Sequence, residues 1–128
     1  MAAASLAQKL GVQSDTVFAL VHAESSFALD LPPSVSARRS ARGSASVVLA
    51  FFTRANHLDR EIDHLGQMIF PAGSLWIAWP KRFSGRTSDL SDHAVRGAAL
   101  PLGLVDNKVC AVDETWSALR LVWRRERR

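Results

Sequence analysis

The sequence has little cysteine and no long apolar stretch near its start. Cys110 is the only cysteine among 128 residues. A single thiol excludes an internal disulfide and a zinc site of the paired-cysteine kind, and it favours a reducing compartment. Gln8, Lys9 and Gly11 interrupt the first apolar residues before they reach the length of a signal peptide or a membrane span. These absences predict a cytoplasmic protein without a membrane partner.

The rest of the composition is that of an ordinary globular protein. Hydrophobic residues make up 48% of the chain and charged residues 22%, and the length suits one domain of about 100–150 residues. We therefore expect a single domain over residues 1–128 with a basic tail at 124–128. The net charge of +4 raises the possibility of a nucleic-acid binder. Terminal charge runs are more often solvated ends, however, so nucleic acid is the less favoured partner.

Continuous apolar runs predict buried strands at 16–21, 46–52 and 74–79. Residues 22–46 are broken by prolines, serines and Gly43, and only 35–39 alternates enough to predict a short edge strand. Trp76 and Trp79 are an odd number of residues apart in their strand, so we expect them to face opposite layers.

The remaining segments predict helices and a closing hairpin. Residues 5–10 predict a short helix that ends at Gly11. Thr53 is the expected N-cap of a longer helix, whose apolar stripe consists of Leu58, Ile62, Leu65 and Ile69. Another helix is expected to begin at Ser88 or Asp89 and to reach Leu100. Segments 107–113 and 116–124, joined by a tight turn at 113–115, predict a hairpin.

This succession of strands and helices predicts an α/β fold with a small, doubly wound, mainly parallel sheet and a C-terminal antiparallel hairpin. The same ending closes the methyltransferase-like variant of the Rossmann fold, which this pattern resembles. The predicted strand order is 35–39, 16–21, 46–52, 74–79, 116–124 and 107–113, and only strand 116–124 is antiparallel.

Several motifs resemble the bacterial Domain of Unknown Function 3052 family. The most specific are LWIAWPK from Leu75, ALPLGLVDNKVCAVDETWS from Ala99 and LRLV from Leu119. SLAQKLGV near the start and VVLAFFTR in the middle extend the resemblance over nearly the whole chain. It implies a bacterial origin and an α/β fold, and it supplies no catalytic residues. In such relatives the loop after the first strand carries glycine, whereas this chain has His22 to Ser26 there.

Methyltransferase chemistry with S-adenosylmethionine normally requires a glycine-rich first loop and an acidic residue that closes the second strand. Glycine is absent from 20–36, and the predicted strand 35–39 ends in arginines. The four histidines lack the spacing of a metal site, and no nucleophile motif is present. We therefore expect no cofactor, no metal and no catalytic residues.

Ligands of open α/β sheets bind beyond the carboxyl ends of the strands. The candidate ligand-binding residues at this edge are His22, Glu24, Arg54, Lys81, Asp113 and Glu114. A small anionic ligand is expected between the ends of strands 16–21 and 46–52, within reach of Arg54 and Lys81. The alternative is that these residues are the solvated charges of ordinary loops. Likewise, the basic loop 81–86 either holds a phosphate before a helix or is simply solvated.

The sequence favours a non-catalytic binding or regulatory module. One alternative is an enzyme that binds a nucleotide or an S-adenosylmethionine-like molecule at the carboxyl edge of the sheet. The other is a basic nucleic-acid binder that uses the arginine tail.

Overall fold

The apolar runs form strands in a computed structural model, which describes residues 5–128. In this described part the strands are β1 Phe18–Val21, β2 Ala37–Arg38, β3 Val47–Phe51, β4 Ser74–Pro80, β5 Leu104–Ala111 and β6 Trp116–Trp123. The α-helices are α1 Leu6–Leu10, α2 Ala55–Ile69 and α3 Asp92–Ala99. No helix of residues 5–128 has the length and apolar character needed to cross a bilayer.

The six strands form one sheet in the order β2-β1-β3-β4-β6-β5. Strands β2, β1, β3 and β4 are parallel neighbours, whereas β6 is antiparallel to both β4 and β5. This is the predicted order with the predicted antiparallel strand, so the mainly parallel α/β architecture is confirmed. The single-domain boundary at 1–128 remains a prediction.

Apolar side chains cover both faces of the sheet. Helices α2 and α3 pack on one face, where the stripe Leu58, Ile62, Leu65 and Ile69 is buried as expected. Helix α1 and the irregular segment after β1 cover the other face. Trp79 belongs to the first layer and Trp76 to the second, which confirms that the two indoles face opposite ways.

The expected N-cap of α2 is wrong. The helix begins at Ala55 with Arg54 in the cap position, and Arg54 makes no side-chain cap hydrogen bond. Instead, the carboxylate of Asp89 accepts a hydrogen bond from the Ala55 amide at 2.7 Å. A residue distant in sequence thus replaces Thr53 as the capping group, because the chain after β4 returns to the end of β3.

The expected start of α3 is also wrong, and for the same reason. The Ser88 hydroxyl donates to the Thr53 carbonyl at 2.8 Å, so Ser88 ties the preceding loop to the end of β3 and does not cap a helix. Helix α3 begins at Asp92, after an N-cap at Ser91 whose hydroxyl accepts from the Ala94 amide at 3.2 Å.

The closing hairpin forms as predicted, but β5 is Leu104–Ala111 where 107–113 was expected, and β6 ends one residue before the predicted 124. Strand β5 begins at Leu104, earlier than expected, because Gly103 in a left-handed conformation redirects the chain directly into the strand. The tight turn is where we expected it. The carboxylate of Asp113 accepts hydrogen bonds from the amides of Thr115 and Trp116, both at 2.8 Å.

Candidate functional site

The candidate residues lie at one edge of the sheet. His22 follows β1, Arg54 follows β3 and Lys81 follows β4, and all three strands are parallel. Asp113 and Glu114 join them because β6 runs in the opposite direction, which brings the turn between β5 and β6 to the same edge. The chain leaves β1 toward β2 and leaves β3 toward β4, so this edge includes the switch point where α/β folds bind ligands.

His22 belongs to a cluster at this switch point. Its Nε2 donates to Oε1 of Glu61 at 2.8 Å, and His57 Nε2 pairs with the other oxygen of the same carboxylate. Both imidazoles pack edge to face on the buried ring of Phe52, with centroids 5.4 Å away for His22 and 4.9 Å away for His57. The apolar ring closes one side of the cluster, whereas the polar atoms remain open to solvent on the other.

The electrostatics of this cluster favour an ionised carboxylate. Partial burial tends to raise the pKa of Glu61, but it is outweighed by the hydrogen bond from His22 and by attraction to the charged forms of His22 and His57. The net result is a pKa of Glu61 below its ordinary value. The cluster therefore presents a carboxylate and two imidazoles to solvent at neutral pH.

Glu24 takes part in a separate arrangement on the other face of the sheet. Its carboxylate pairs with Arg86 at 2.5 Å, and the Arg86 guanidinium lies 5.4 Å from the ring centroid of Trp116. These residues line a cavity of about 280 Å³ at the carboxyl edge, together with Phe27, Phe51 and Asp113. The cavity thus combines a cation, two carboxylates and aromatic rings.

The aromatic part of this cavity is held by ring packing. Phe51 meets Phe27 and Trp116 edge to face, with both centroid distances at 5.0 Å. Phe51 and Phe52 are consecutive residues at the end of β3, and their rings belong to opposite layers of the core. The end of one strand therefore supports the cavity on one face and the histidine cluster on the other.

Arg54, Lys81 and Glu114 belong neither to the histidine cluster nor to the lining of the cavity. The Lys81 ammonium group donates to the carbonyl of Asp113 at 2.6 Å and so ties β4 to the hairpin turn. Arg54 and Glu114 are exposed. The predicted anion site between the ends of β1 and β3 remains a prediction, but the groups found there are His22, Glu61 and the Phe52 ring.

Arg39, which follows β2, holds down the loop after β1. Its guanidinium donates to the carbonyl oxygens of Glu24 at 3.3 Å and of Phe27. His22 begins this loop in a left-handed conformation, with φ at 60°. Side-chain contacts therefore hold this glycine-poor loop at the place where many Rossmann folds have a glycine-rich loop whose backbone contacts the ligand.

The basic tail folds back on the protein. The backbone amide of Arg124 donates to the Gly103 carbonyl at 2.9 Å, and the Arg128 guanidinium donates to the Trp123 carbonyl at 2.9 Å. The side chains of 124–128 are nevertheless exposed. The tail lies at the edge opposite the candidate residues, since β6 ends there.

Glu61 and the aromatic wall of the cavity were not among the predicted site residues, and Arg86 was considered only within the basic loop 81–86, as a phosphate ligand before a helix. In the sequence, Glu61 is one of several charged residues in the predicted helix after strand 46–52, and the four histidines lack the spacing of a metal site among themselves. The available signal was the spacing of four between His57 and Glu61, which places both on one helical face. Trp116 was predicted only as the first residue of strand 116–124, and nothing in the local pattern indicated that Arg86 would lie over its ring.

The comparisons with known proteins concern the fold. No protein-family model matches the sequence, and no curated protein matches it. The structure is similar to the crystal structure of magnesium protoporphyrin IX methyltransferase (ChlM) from Synechocystis PCC 6803 with bound SAH, at a TM-score of 0.54 and 13% sequence identity. The similarity covers 70% of this chain and 51% of that one, so this chain spans about half the length of the methyltransferase. The chain therefore has a methyltransferase-like Rossmann fold.

Proposed function

We propose that this protein is a small-molecule-binding module on a methyltransferase-like scaffold, and that it acts without methyltransferase chemistry. The observation that carries the proposal is the cavity at the carboxyl edge of the sheet, where Arg86 lies between Glu24 and the Trp116 ring. Pockets that combine apolar walls with a few convergent polar groups are the usual form of small-molecule sites.

The chemistry of the cavity favours a small anionic ligand with a flat apolar part. A carboxylate or phosphate can replace Glu24 as the partner of Arg86, because a guanidinium binds such groups with two parallel hydrogen bonds. Phe27, Phe51 and Trp116 offer ring edges and faces to the apolar part. Asp113 and Glu24 give the site an acidic rim that disfavours ligands with several negative charges.

The loop after β1 supports the proposed lack of S-adenosylmethionine chemistry. Cofactor binding at this position relies on glycine, so that backbone amides can approach the ligand, and on an acidic residue after the second strand for the ribose hydroxyls. Here His22 carries a side chain at the first position, and Arg39 directs a guanidinium to the loop carbonyls at the second. An enzyme that binds a nucleotide or an S-adenosylmethionine-like molecule remains the alternative function.

A thermal-shift screen over nucleotides, S-adenosylmethionine and common metabolic acids tests this proposal, because a ligand that binds only the folded state raises the unfolding midpoint. We expect a small aromatic or heteroaromatic acid to raise it and Arg86→Ala to abolish the effect. Arg125→Ala is the matched control, since Arg125 is also exposed but lies at the opposite edge. Loss of binding with Arg54→Ala and Lys81→Ala, but not with Arg86→Ala, would place the ligand in the switch-point crevice and overturn the cavity assignment.

An assay for chemical conversion of the ligand distinguishes the proposed non-catalytic module from the alternative, an enzyme. The ligand found in the screen is incubated with the protein and S-adenosylmethionine, and the mixture is examined by mass spectrometry. We expect the ligand to be recovered unchanged, and a methylated or cleaved product would refute the non-catalytic function.

Our proposals on the organism and cellular compartment of this protein rest on the sequence alone. We propose a bacterial, cytoplasmic protein related to the Domain of Unknown Function 3052 family, on the strength of motifs such as LWIAWPK. Nucleic acid is the less favoured partner. Binding through the tail would weaken steeply with salt and would be lost when residues 124–128 are deleted.

A further inference from the structure

We propose that His22, His57 and Glu61 form a binding site for a divalent transition-metal ion such as Zn²⁺. This site is separate from the proposed ligand cavity and does not depend on it, because the two lie on opposite faces of the sheet. The inference revises the sequence-based expectation of no metal, which compared the histidines with one another and left Glu61 out.

The donor atoms of the cluster suit a transition-metal ion. Two imidazole nitrogens and one carboxylate oxygen lie within 4.8 Å of one another. A tetrahedral zinc ion with bonds of about 2.0–2.1 Å separates its ligand atoms by about 3.3 Å. His22 Nε2 lies 2.8 Å from Glu61 Oε1, and the three ligand atoms are nowhere more than 4.8 Å apart, so their spacing is close to the one that a common ion requires. Small rotations of the side chains are then enough to bring the three groups to a common ion.

The backbone and the core hold the three side chains in place. His57 and Glu61 are one helical turn apart on α2, so their relative position is fixed by the helix. His22 comes from the end of β1, a distant part of the sequence, and its left-handed backbone directs it toward α2. Both rings rest on Phe52, which is buried in the core. The sheet, the helix and the apolar ring thus preorganise the site.

The cluster is accessible to an ion and carries a suitable charge. The side chains of His22, His57 and Glu61 are 40%, 35% and 30% exposed, so an ion can enter and water can complete its coordination. The Glu61 carboxylate supplies a negative charge, which attracts a cation. The positive end of α2 would oppose this attraction. However, the carboxylate of Asp89 lies at that end and accepts from the Ala55 amide.

The ligand set determines the class of metal. Imidazole nitrogen favours zinc, iron, copper, nickel and cobalt, whereas Mg²⁺ and Ca²⁺ prefer sites made of oxygen. Two histidines with one carboxylate, and with positions left open to solvent, are typical of catalytic rather than structural metal ions. We therefore expect an exchangeable ion whose remaining coordination positions are filled by water.

Metal titration of the full chain without a polyhistidine tag tests the site. Isothermal titration calorimetry with Zn²⁺, and the visible absorption of Co²⁺, should show one ion per chain. Loss of outer-shell partners alone weakens metal binding by about 10–100-fold. Removal of a direct ligand in His22→Ala, His57→Ala or Glu61→Gln should therefore weaken it by about 100-fold or more. The nearly isosteric Glu61→Gln keeps the test valid if an alanine variant does not fold.

Matched controls exclude binding elsewhere on the surface. His93→Ala removes an exposed histidine of α3, Glu126→Gln removes an exposed carboxylate, and Cys110→Ser removes the thiol. These variants should bind Zn²⁺ as the parent does, and millimolar Mg²⁺ should not compete. Absence of Zn²⁺ binding to the parent, equal binding by Glu61→Gln and the parent, or equal losses in the His93→Ala control would each overturn the proposal.

Discussion

Two helical glycines should respond to the same substitution with opposite signs. Gly97 in α3 is exposed, and a Cβ built there meets no atom within 4 Å. Gly66 in α2 is buried, and its Cβ would lie 3.0 Å from the Trp123 ring and 3.2 Å from Leu104. Alanine favours the helical backbone over glycine by the same amount at both positions. The difference in the free energy of unfolding between the two variants therefore measures the cost of the close contact at Gly66.

The magnitudes follow from these contacts. Alanine is better than glycine in a helix interior by about 1 kcal/mol, so Gly97→Ala should raise the free energy of unfolding by about that amount. At Gly66 the added methyl overpacks the core, which typically costs about 1–3 kcal/mol. The Trp123 ring cannot easily retreat, because its Nε1 donates to the Gly66 carbonyl at 2.8 Å. Gly66→Ala should therefore be destabilised, by up to about 2 kcal/mol relative to the parent.

Urea denaturation followed by far-UV circular dichroism measures both free energies, and equal slopes with urea show that the two variants unfold comparably. The unfolding midpoints in a thermal scan should differ by roughly 4 °C for each kcal/mol between them. If Gly66→Ala is stabilised as much as Gly97→Ala, then the contact between α2, Trp123 and Leu104 is looser than the structure shows and the reasoning is refuted.

Three further predictions concern single side chains. Asp89→Ala should lower the free energy of unfolding by about 1 kcal/mol, since it removes the cap of Ala55, and equal stability in urea would contradict this role. Burial raises the pKa of the Cys110 thiol, so iodoacetamide at pH 8 should modify it more slowly in the folded protein than in urea. The hydrogen bond from Arg96 lowers the pKa of Asp92, so the carboxylate's contribution to stability is lost only as the pH falls through that lowered pKa. Arg96→Gln should move the Asp92 pKa, measured by NMR titration, back toward its ordinary value, and an unchanged pKa would refute the pairing.

The strand order could be predicted from sequence because local pattern and general rules of connection indicate the parallel strands, and the resemblance to methyltransferase-like Rossmann folds indicates where the closing hairpin pairs. The continuous apolar runs of β1, β3 and β4 can be buried only as central parallel strands. Turn residues such as Asp113 act on amides two and three positions away, so the hairpin was also readable.

The helix caps and the candidate sites were less predictable because they depend on contacts between distant segments. Asp89 caps a helix that begins 34 residues earlier, and Ser88 bonds to the end of β3. Local rules assigned both residues to the helix that follows them. Glu61 likewise gains its role only when the end of β1 places His22 beside α2. The spacing of residues along the chain can indicate that His57 and Glu61 share a face of α2, but it cannot indicate that His22 lies beside them.

The conformation of His22, directly after β1, explains why the histidine cluster and the aromatic cavity lie at the same edge of the sheet without overlapping. A residue with a side chain in the left-handed conformation costs about 1–2 kcal/mol relative to glycine, although histidine is among the residues that tolerate it best. His22 adopts this conformation, and its contacts with Glu61 and Phe52 offset the cost. The imidazole then occupies space at the switch point that a glycine would leave to a cofactor. The proposed ligand would therefore bind at the neighbouring part of the edge, where Arg86 and Trp116 border the open cavity.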